Sequence, residues 1–445
     1  MSAELQELAA KAWVYGFPLV FDLDQVNRFV AEGMGSLDAA PFNTFSHART
    51  LAGPQDTFVS VNNDTIYSIA QLDLAHGPQL LRVPDSGGAY YVLQFVDAWT
   101  NNFAYVGKRA TGTAAGRYLL TGPEWSGEVP AGATRIACPT SAGTIVGRWA
   151  CDGEDDLGRV RQLQSALTLE PVGDQDLAEG LPAPDPNVPD DLRFWEKLRV
   201  YSQAYPPAPQ DLVVQQAFAP LGLLETGPSP YLEAPPDLAS VLTAGAEAGH
   251  RSLDTALKSG ASGTVVNGWQ LMYHAFDYND DFFEVGTVDS PEWRIADRSR
   301  ALGMRAGAAR AGLWGNHGYE AAYAPVYHDS DGNELSGEHT YTLTFAPTPP
   351  VDAFWSITMY DLPDFFLVDN PLDRYSIGDR TPGLVFADDG SLTITLSAAA
   401  PADPAARANW LPTPAGGFRP LLRMYSPRPP VFDGTFEIPP FVRTT

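Results

Sequence analysis

Ala89-Tyr90-Tyr91-Val92-Leu93-Gln94-Phe95-Val96-Asp97 and Ala353-Phe354-Trp355-Ser356-Ile357-Thr358-Met359-Tyr360-Asp361 read alike, about 260 residues apart. Each opens Ala-aromatic-aromatic and closes in Asp at the same offset. In a strand, side chains alternate between the two faces, so one face carries Tyr91, Leu93, Phe95 and Asp97 and its counterpart carries Trp355, Ile357, Met359 and Asp361. A carboxylate ending an apolar row is costly unless it is paired, hydrogen-bonded or placed where the strand leaves the core. The repetition therefore predicts two related β-sandwich or barrel units, each with a polar mouth. The alternative is chance likeness of two amphipathic strands.

The 445 residues are enough for two or three domains, and 44% hydrophobic residues with 22 Phe, 18 Tyr and 10 Trp supply folded cores. Gly 40 and Pro 39 favour strands and turns over long helices. A formal charge of -26 argues against nucleic acid as partner, because phosphate binding needs clustered Lys and Arg. The only lysines are Lys11, Lys108, Lys197 and Lys258, so fixed positive sites would be arginine forks suited to carboxylates. Cys138 and Cys151 are read as reduced thiols. Residues from Met1 to Lys11 lack the layout of a signal peptide and no apolar run approaches membrane-spanning length. A cytoplasmic protein without a membrane partner is expected.

Apolar spacing predicts N-terminal helices over 1–40, broken at Gly16-Phe17-Pro18. An N-terminal β domain follows over 41–170. Its strands are expected at Phe58 to Val61, Thr65 to Leu72, 89–97, Phe103 to Val106, Arg117 to Leu120 and Thr144 to Arg148. A Pro-, Gly- and acid-rich stretch over 171–191 reads as a linker, and helical patterning dominates 192–315. A C-terminal β domain fills 316–445, with a hairpin turn at Asp329-Ser330-Asp331-Gly332-Asn333.

Asn43 to His47, Asn63-Asp64-Thr65-Ile66-Tyr67-Ser68, the Tyr91 to Gly107 run, Asp331-Gly332, the 354–361 strand, Asn370, Arg374 to Gly378 and Asn409-Trp410-Leu411-Pro412 form a string of motifs. Nearly the whole chain resembles the bacterial two-part family that pairs an N-terminal domain of unknown function 1254 with a C-terminal domain of unknown function 1214. The resemblance implies a mixed, mainly β fold: two jelly-roll-like β-sandwich or barrel domains with a helical segment between them and a short helical N-terminus. It implies no agreed reaction. Many relatives begin with an export signal, and this chain starts directly at the first helix.

No His begins a His-x-Asp or His-x-Glu triplet, and His-Glu-x-x-His, Cys-x-x-Cys, Gly-x-Ser-x-Gly, phosphate-loop and dinucleotide patterns are missing. No metal and no cofactor are expected, which leaves acid/base work. His47, Arg49, Asn63, Asp64 and Tyr67 would supply an imidazole, a carboxylate and a phenol if the fold gathers them; a plain Asx turn at Asn62-Asn63-Asp64 is the bland reading. Asp97, Thr100, Asn101, Asn102 and Tyr105 fit either a polar pocket or a pinned loop. In the second unit Asp361, Asn370, Arg374 and Tyr375 are analogous, with Arg374 able to clamp a carboxylate or to pair with Asp361 or Asp373. His274 and Asp277, three apart in a helical stretch, read as a surface pair or as a histidine packed under Trp269, ahead of a catalytic pair.

The expectation is an enzyme acting on a small polar organic molecule, sugar-like or polyketide-like, at the mouth of the N-terminal β domain. Asp64 or Asp97 would be the base, Tyr67 or Tyr105 the acid and His47 a supporting donor. Asn63, Asn101, Asn102, Arg374 and Tyr375 would bind substrate. Hydrolysis, elimination and isomerisation stay open, as does homo-oligomer formation. The alternative is a non-catalytic binding protein for carbohydrate or another small molecule.

Overall fold

The computed structural model describes residues 2–56, 60–258 and 263–444. Phe58 and Val59 of the first expected strand lie outside them.

Two β units are each built from two sheets. In the first unit, β1 (Phe45–His47), β2 (Thr65–Asp73), β4 (Tyr91–Asp97), β5 (Asn102–Gly107) and β8 (Ala142–Ala150) form a sheet of order β1-β2-β8-β4-β5. A second sheet takes β3 (Gln79–Val83), β6 (Gly116–Thr121), β7 (Thr134–Ala137) and β9 (Thr168–Pro171) in the order β7-β6-β3-β9. After a short hairpin, β10 (Thr264–Val266) and β11 (Trp269–Leu271), the second unit repeats the plan. Its sheets are β12-β18-β14-β15 and β17-β16-β13-β19, from β12 (Ala321–Pro325), β13 (Tyr341–Phe345), β14 (Val351–Asp361), β15 (Ser376–Gly378), β16 (Leu392–Ser397), β17 (Trp410–Pro412), β18 (Phe418–Pro427) and β19 (Val442–Arg443).

The correspondence extends to strand direction. Every pair in the first sheet of either unit is antiparallel, and each second sheet has one parallel pair, β6 with β7 and β16 with β17. Gly107 pairs opposite Val92, and Gly378 opposite Ser356. A Cβ at either glycine would overlap the carbonyl oxygen of the equivalent neighbour, Tyr91 or Trp355. The two quoted stretches are thus the same strand of a duplicated unit. Among the described residues neither unit closes into a barrel.

The rows Tyr91, Leu93, Phe95 and Trp355, Ile357, Met359 point into the cores of their own units. The opposite faces of β4 and β14 meet between the units. There Tyr90, Val92, Tyr105 and Ala150 pack with Trp293, Tyr319, Ala321, Phe354 and Tyr425.

The N-terminus is one helix, α1 (Ser2–Glu32), rather than a broken pair, with Pro18 inside it. Pro in a helix interior costs about 3 kcal/mol. Burial of Ala9, Ala12, Leu19, Val20, Leu23 and Val26 on both sides of Pro18, against the helical layer, offsets that cost. The remaining helices are α2 (Lys108–Thr111), α3 (Leu157–Ala166), α4 (Arg193–Ala204), α5 (Leu212–Gln216), α6 (Pro236–Lys258), α7 (Arg298–Gly312) and α8 (Pro404–Ala408). Residues 272–297 are mostly irregular, and His274 and Asp277 sit in the turn over 273–278 and not in a helix. Among the described residues no helix is long and apolar enough to cross a membrane. Cys138 and Cys151 are both buried and free.

Candidate functional site

The register of the facing sheets places one tyrosine beside one arginine in each unit. Tyr67 of β2 lies opposite Arg148 of β8, and Tyr323 of β12 lies opposite Arg423 of β18. Each arginine reaches along its sheet to a polar residue of the repeated strand. Arg148 Nη1 donates to Gln94 Oε1 at 2.7 Å, and Arg423 Nη1 donates to Thr358 Oγ1 at 2.9 Å. Gln94 and Thr358 hold the same place in the two quoted stretches. Both arginines are buried, whereas Tyr67 and Tyr323 are the single half-buried positions of otherwise buried strands.

Two acidic residues are exchanged across the interface. Asp64 immediately precedes β2, and its Oδ2 accepts from Ser356 Oγ at 2.6 Å and Tyr425 Oη at 3.3 Å, both of the second unit. Glu320 immediately precedes β12, and its Oε1 accepts from Tyr90 Oη at 2.9 Å in the first unit. The arginine two residues after each paired glycine completes the exchange. Arg109 Nε donates to Glu320 Oε2 at 2.5 Å, and Arg380 Nη2 donates to the Asp64 carbonyl at 2.9 Å.

Around Asp64 and Tyr67 the polar groups converge. Arg148 Nη2 donates to the Trp314 carbonyl at 2.8 Å, and its guanidinium lies 5.5 Å from the centre of the Tyr67 ring. Asn316 Nδ2 donates to Tyr323 Oη at 3.2 Å. Arg423 Nη2 donates to Tyr360 Oη and to the Ser60 carbonyl, each at 2.8 Å. Burial opposes the charge on both guanidiniums, yet the oxygens around them (Tyr67, Tyr323 and Tyr425 at Arg148; Tyr360, Tyr425 and Asp64 at Arg423) keep both firmly protonated. Burial, and after it the Asp64 charge, pushes the Tyr425 phenol well above its ordinary range.

A second polar knot lies beside the first. His317 Nδ1 is 3.0 Å from both Tyr105 Oη and Tyr319 Oη, and its ring stacks on Tyr319. The Arg109 guanidinium lies 4.8 Å from the centre of the Tyr319 ring. Burial, and after it the Arg109 charge, pushes the imidazole down to about 3, so His317 is neutral at physiological pH.

Of the residues predicted from sequence, Asp64 and Tyr67 stand together on the interface, and Asn63 joins them through Ser376 Oγ, which donates to Asn63 Oδ1 at 3.4 Å. His47 is elsewhere. It lies on β1 with Nδ1 2.8 Å from Ser68 Oγ, and Ser68 faces away from Tyr67. Burial and then Arg49 push its imidazole down to about 4. Asn102 supports the arginine indirectly, because Gln94 Nε2 donates to Asn102 Oδ1 at 2.7 Å. Tyr105 belongs to the His317 knot. Arg374 donates to the Ala408 and Trp410 carbonyls within its own unit; Tyr375 Oη donates to Asp373 Oδ1, while its ring packs against the Tyr360 cluster that Val61 and Tyr323 also border. His274 Nδ1 lies 2.6 Å from Asp277 Oδ2.

Asp97 closes a loop. Its Oδ1 accepts from the Trp99 and Asn101 amides at 2.9 and 2.8 Å, and its Oδ2 accepts from Asn101 Nδ2 at 2.9 Å. Asp97→Ala strands three buried donors, so it is expected to cost about 3 kcal/mol of stability in urea unfolding. Ligand affinity should stay unchanged. A variant of parent stability that has lost binding would make Asp97 a functional residue instead.

The model for the protein-of-unknown-function family DUF1254 matches residues 42–171, and that for DUF1214 matches residues 320–429. The chain belongs to this two-part family. Each matched segment contains most of one duplicated β unit, so the family's two parts are the two halves of the interface. The chain is similar in fold to the crystal structure of the VPA0106 protein from Vibrio parahaemolyticus, at 22% identity over 99% of this chain and 100% of that one, with a TM-score of 0.74. It also aligns with a putative uncharacterized protein from Burkholderia cenocepacia at 11% identity, over 100% of this chain and 96% of that one, with a TM-score of 0.45. No curated protein matches. At 22% identity the likeness to the Vibrio protein shows the fold alone.

Sequence reading of this family member missed Arg148, Arg423, Tyr323, Tyr425, Asn316 and His317. One signal was available. Asp64-Thr65-Ile66-Tyr67 and Glu320-Ala321-Ala322-Tyr323 share an acid-x-x-Tyr pattern, and Gly107-Lys108-Arg109 and Gly378-Asp379-Arg380 share Gly-x-Arg.

Proposed function

We propose that the protein is an enzyme that binds a small polar organic molecule between its two β units and acts on it by acid/base chemistry. The observation that carries this reading is the pair Tyr67 and Tyr323. Each is the one half-buried side chain of a buried strand, and both border the same cluster of Arg148, Asn316 and Tyr425. Packing alone gives no reason for a large polar ring left half-open at the one such position of each strand, whereas β12 is otherwise filled by Ala and Pro and the polar side chains of β2 are buried.

In this role Asp64 is the base. Its carboxylate is held by Ser356 and Tyr425 from the opposite unit, so its position depends on both domains being docked. Arg148 offers a fixed positive charge to the bound molecule, and the Tyr67 and Tyr323 phenols orient it through hydrogen bonds and ring contact. Hydrolysis, elimination and isomerisation are each compatible with this set.

The test is a metabolite panel screened by thermal shift on the full chain, followed by product analysis of each ligand that raises the melting temperature. Tyr67→Phe and Tyr323→Phe are each expected to weaken ligand binding by about 10-fold, the worth of one hydrogen bond. A ligand-soaked crystal should hold the molecule between Tyr67 and Tyr323. A ligand seated instead at the Asn101 end of the first unit, with both variants binding normally, would refute the interdomain site.

A further inference from the structure

Five arginines are buried among the described residues: Arg148, Arg199, Arg305, Arg419 and Arg423. Two have a carboxylate partner, Arg199 with Glu196 at 2.8 Å and Arg305 with Asp211 at 3.3 Å. The other three all lie at the interface between the units, and the acceptors that hold them are neutral. Arg148 has Gln94 Oε1, Asn316 Oδ1 and the Trp314 carbonyl. Arg423 has Thr358 Oγ1, Tyr360 Oη and the Ser60 carbonyl, and Arg419 Nη2 donates to Ser60 Oγ at 2.5 Å. A buried cation without a counter-charge is costly, and proteins retain one where something else supplies that charge.

The three differ in what surrounds them. Arg423 shares its neighbourhood with Asp64: it donates to Tyr360 Oη, Tyr425 Oη donates to the Asp64 carboxylate, and the Asp64 charge lies close enough to favour the charged guanidinium. Arg419 lies against the Phe365 and Tyr360 rings at the edge of the second unit. Arg148 occupies the central strand of its sheet, beside Tyr67 and linked to Tyr323 through Asn316, where the acceptor oxygens around it are locked in place. Gln94 Nε2 is committed to Asn102 Oδ1 and the Gly315 carbonyl, and Asn316 Nδ2 to Tyr323 Oη, so both amides turn their oxygens to the guanidinium. Arg109, at the neighbouring knot, shows the contrasting case: its charge is met by Glu320.

We propose that the molecule bound between the units carries a carboxylate, and that Arg148 receives it. The inference rests on the interdomain site argued above and names its substrate class. One unmatched positive charge near two phenols suits one negative charge. The planar fork of a guanidinium matches the two oxygens of a carboxylate, and the Tyr67 and Tyr323 rings provide surface for the organic remainder. A phosphate, with nearly twice the charge, would need a further cation at the same place.

The experiment measures, by calorimetry and thermal shift on the full chain, a panel of aliphatic and aromatic monocarboxylates, their neutral amides and inorganic phosphate. Monocarboxylates are expected to bind and raise the melting temperature, while the matching amides and phosphate bind at least about 10-fold more weakly. Arg148→Gln should weaken carboxylate binding by about 10- to 100-fold, and Arg148→Lys, which keeps the charge and loses the fork, by about 10-fold. The lysine variant also serves where the glutamine variant fails to fold. Amides binding as well as acids, or acids binding both variants as tightly as the parent, overturn the carboxylate assignment while leaving an interdomain ligand site. Failure of every probe to bind the parent protein overturns both.

Discussion

Asp64→Asn is expected to fold like the parent and to lower turnover of the bound molecule by about 10²- to 10⁴-fold, the span attributed to one positioned acid or base. The asparagine keeps the size of the side chain and one acceptor oxygen, and Ser356 Oγ can accept from its amide as readily as it donates to the carboxylate. The hydroxyl contacts of Oδ2 with Ser356 and Tyr425 are therefore retained in altered form. What is lost is the proton acceptor and the negative charge beside Arg423. Asp64→Ala is the contrasting variant. It leaves two hydroxyls of the second unit without their acceptor and removes a contact between the halves, so about 2–4 kcal/mol of stability should go with the activity. Steady-state rates on a molecule that the screen finds to be converted, set beside urea unfolding of all three proteins, separate the two outcomes. Full activity in the asparagine variant would remove Asp64 from the chemistry. A large stability loss in that same variant would make its role structural.

The duplicated strand was legible because its apolar row has a fixed period. Tyr91, Leu93, Phe95 and Trp355, Ile357, Met359 each face a core, as alternation requires. The chemistry was harder to see because it lies on the other face. Val92 and Gln94, or Ser356 and Thr358, read in isolation as the outward face of each unit, and only docking of the other unit turns that face inward. Strand ends therefore carry the functional signal in the sequence, and Asp97 stands at one. Its carboxylate is consumed by three donors of its own loop. Arg148 and Arg423 were unreadable for a different reason. Each comes from the strand that closes its sheet last in sequence, far from the tyrosine beside it, and no local spacing connects them. Pro18 misled in the opposite direction, since a local breaker was outweighed by burial along the whole of α1.

Acid is expected to destabilise the protein through His317, and the His317→Gln variant should lose much of that sensitivity. The imidazole is buried with Nδ1 facing two phenols, Tyr105 and Tyr319, and the Arg109 cation is close by. A phenol donating to Nδ1 fixes the neutral tautomer with its proton on Nε2. Because the folded-state value is pushed down from 6.5 to about 3, the unfolded chain binds a proton that the folded protein refuses throughout that window. The contribution is thus complete above the ordinary histidine range and is lost progressively as pH falls from about 6.5 toward 3. At about 1.4 kcal/mol per unit, two units of acidification below 6.5 remove about 2–3 kcal/mol. His47, pushed down to about 4, acts in the same direction over the upper part of the window. Asp97 acts against both: burial raises its carboxyl to about 6, so the folded protein takes up that proton first and gains relative stability as pH falls from 6 to about 4. Urea unfolding of parent and His317→Gln at pH 7 and pH 4.5 isolates the His317 share, since the other two groups are common to both proteins. The parent should lose about 2–3 kcal/mol more than the variant between the two conditions. Equal losses would mean that His317 charges in place at low cost, which would require the Tyr105 and Tyr319 oxygens to turn and accept from it despite Arg109. In that event the knot beside the site would be an adaptable hydrogen-bond relay able to hold a proton, and not a rigid support for the docked halves.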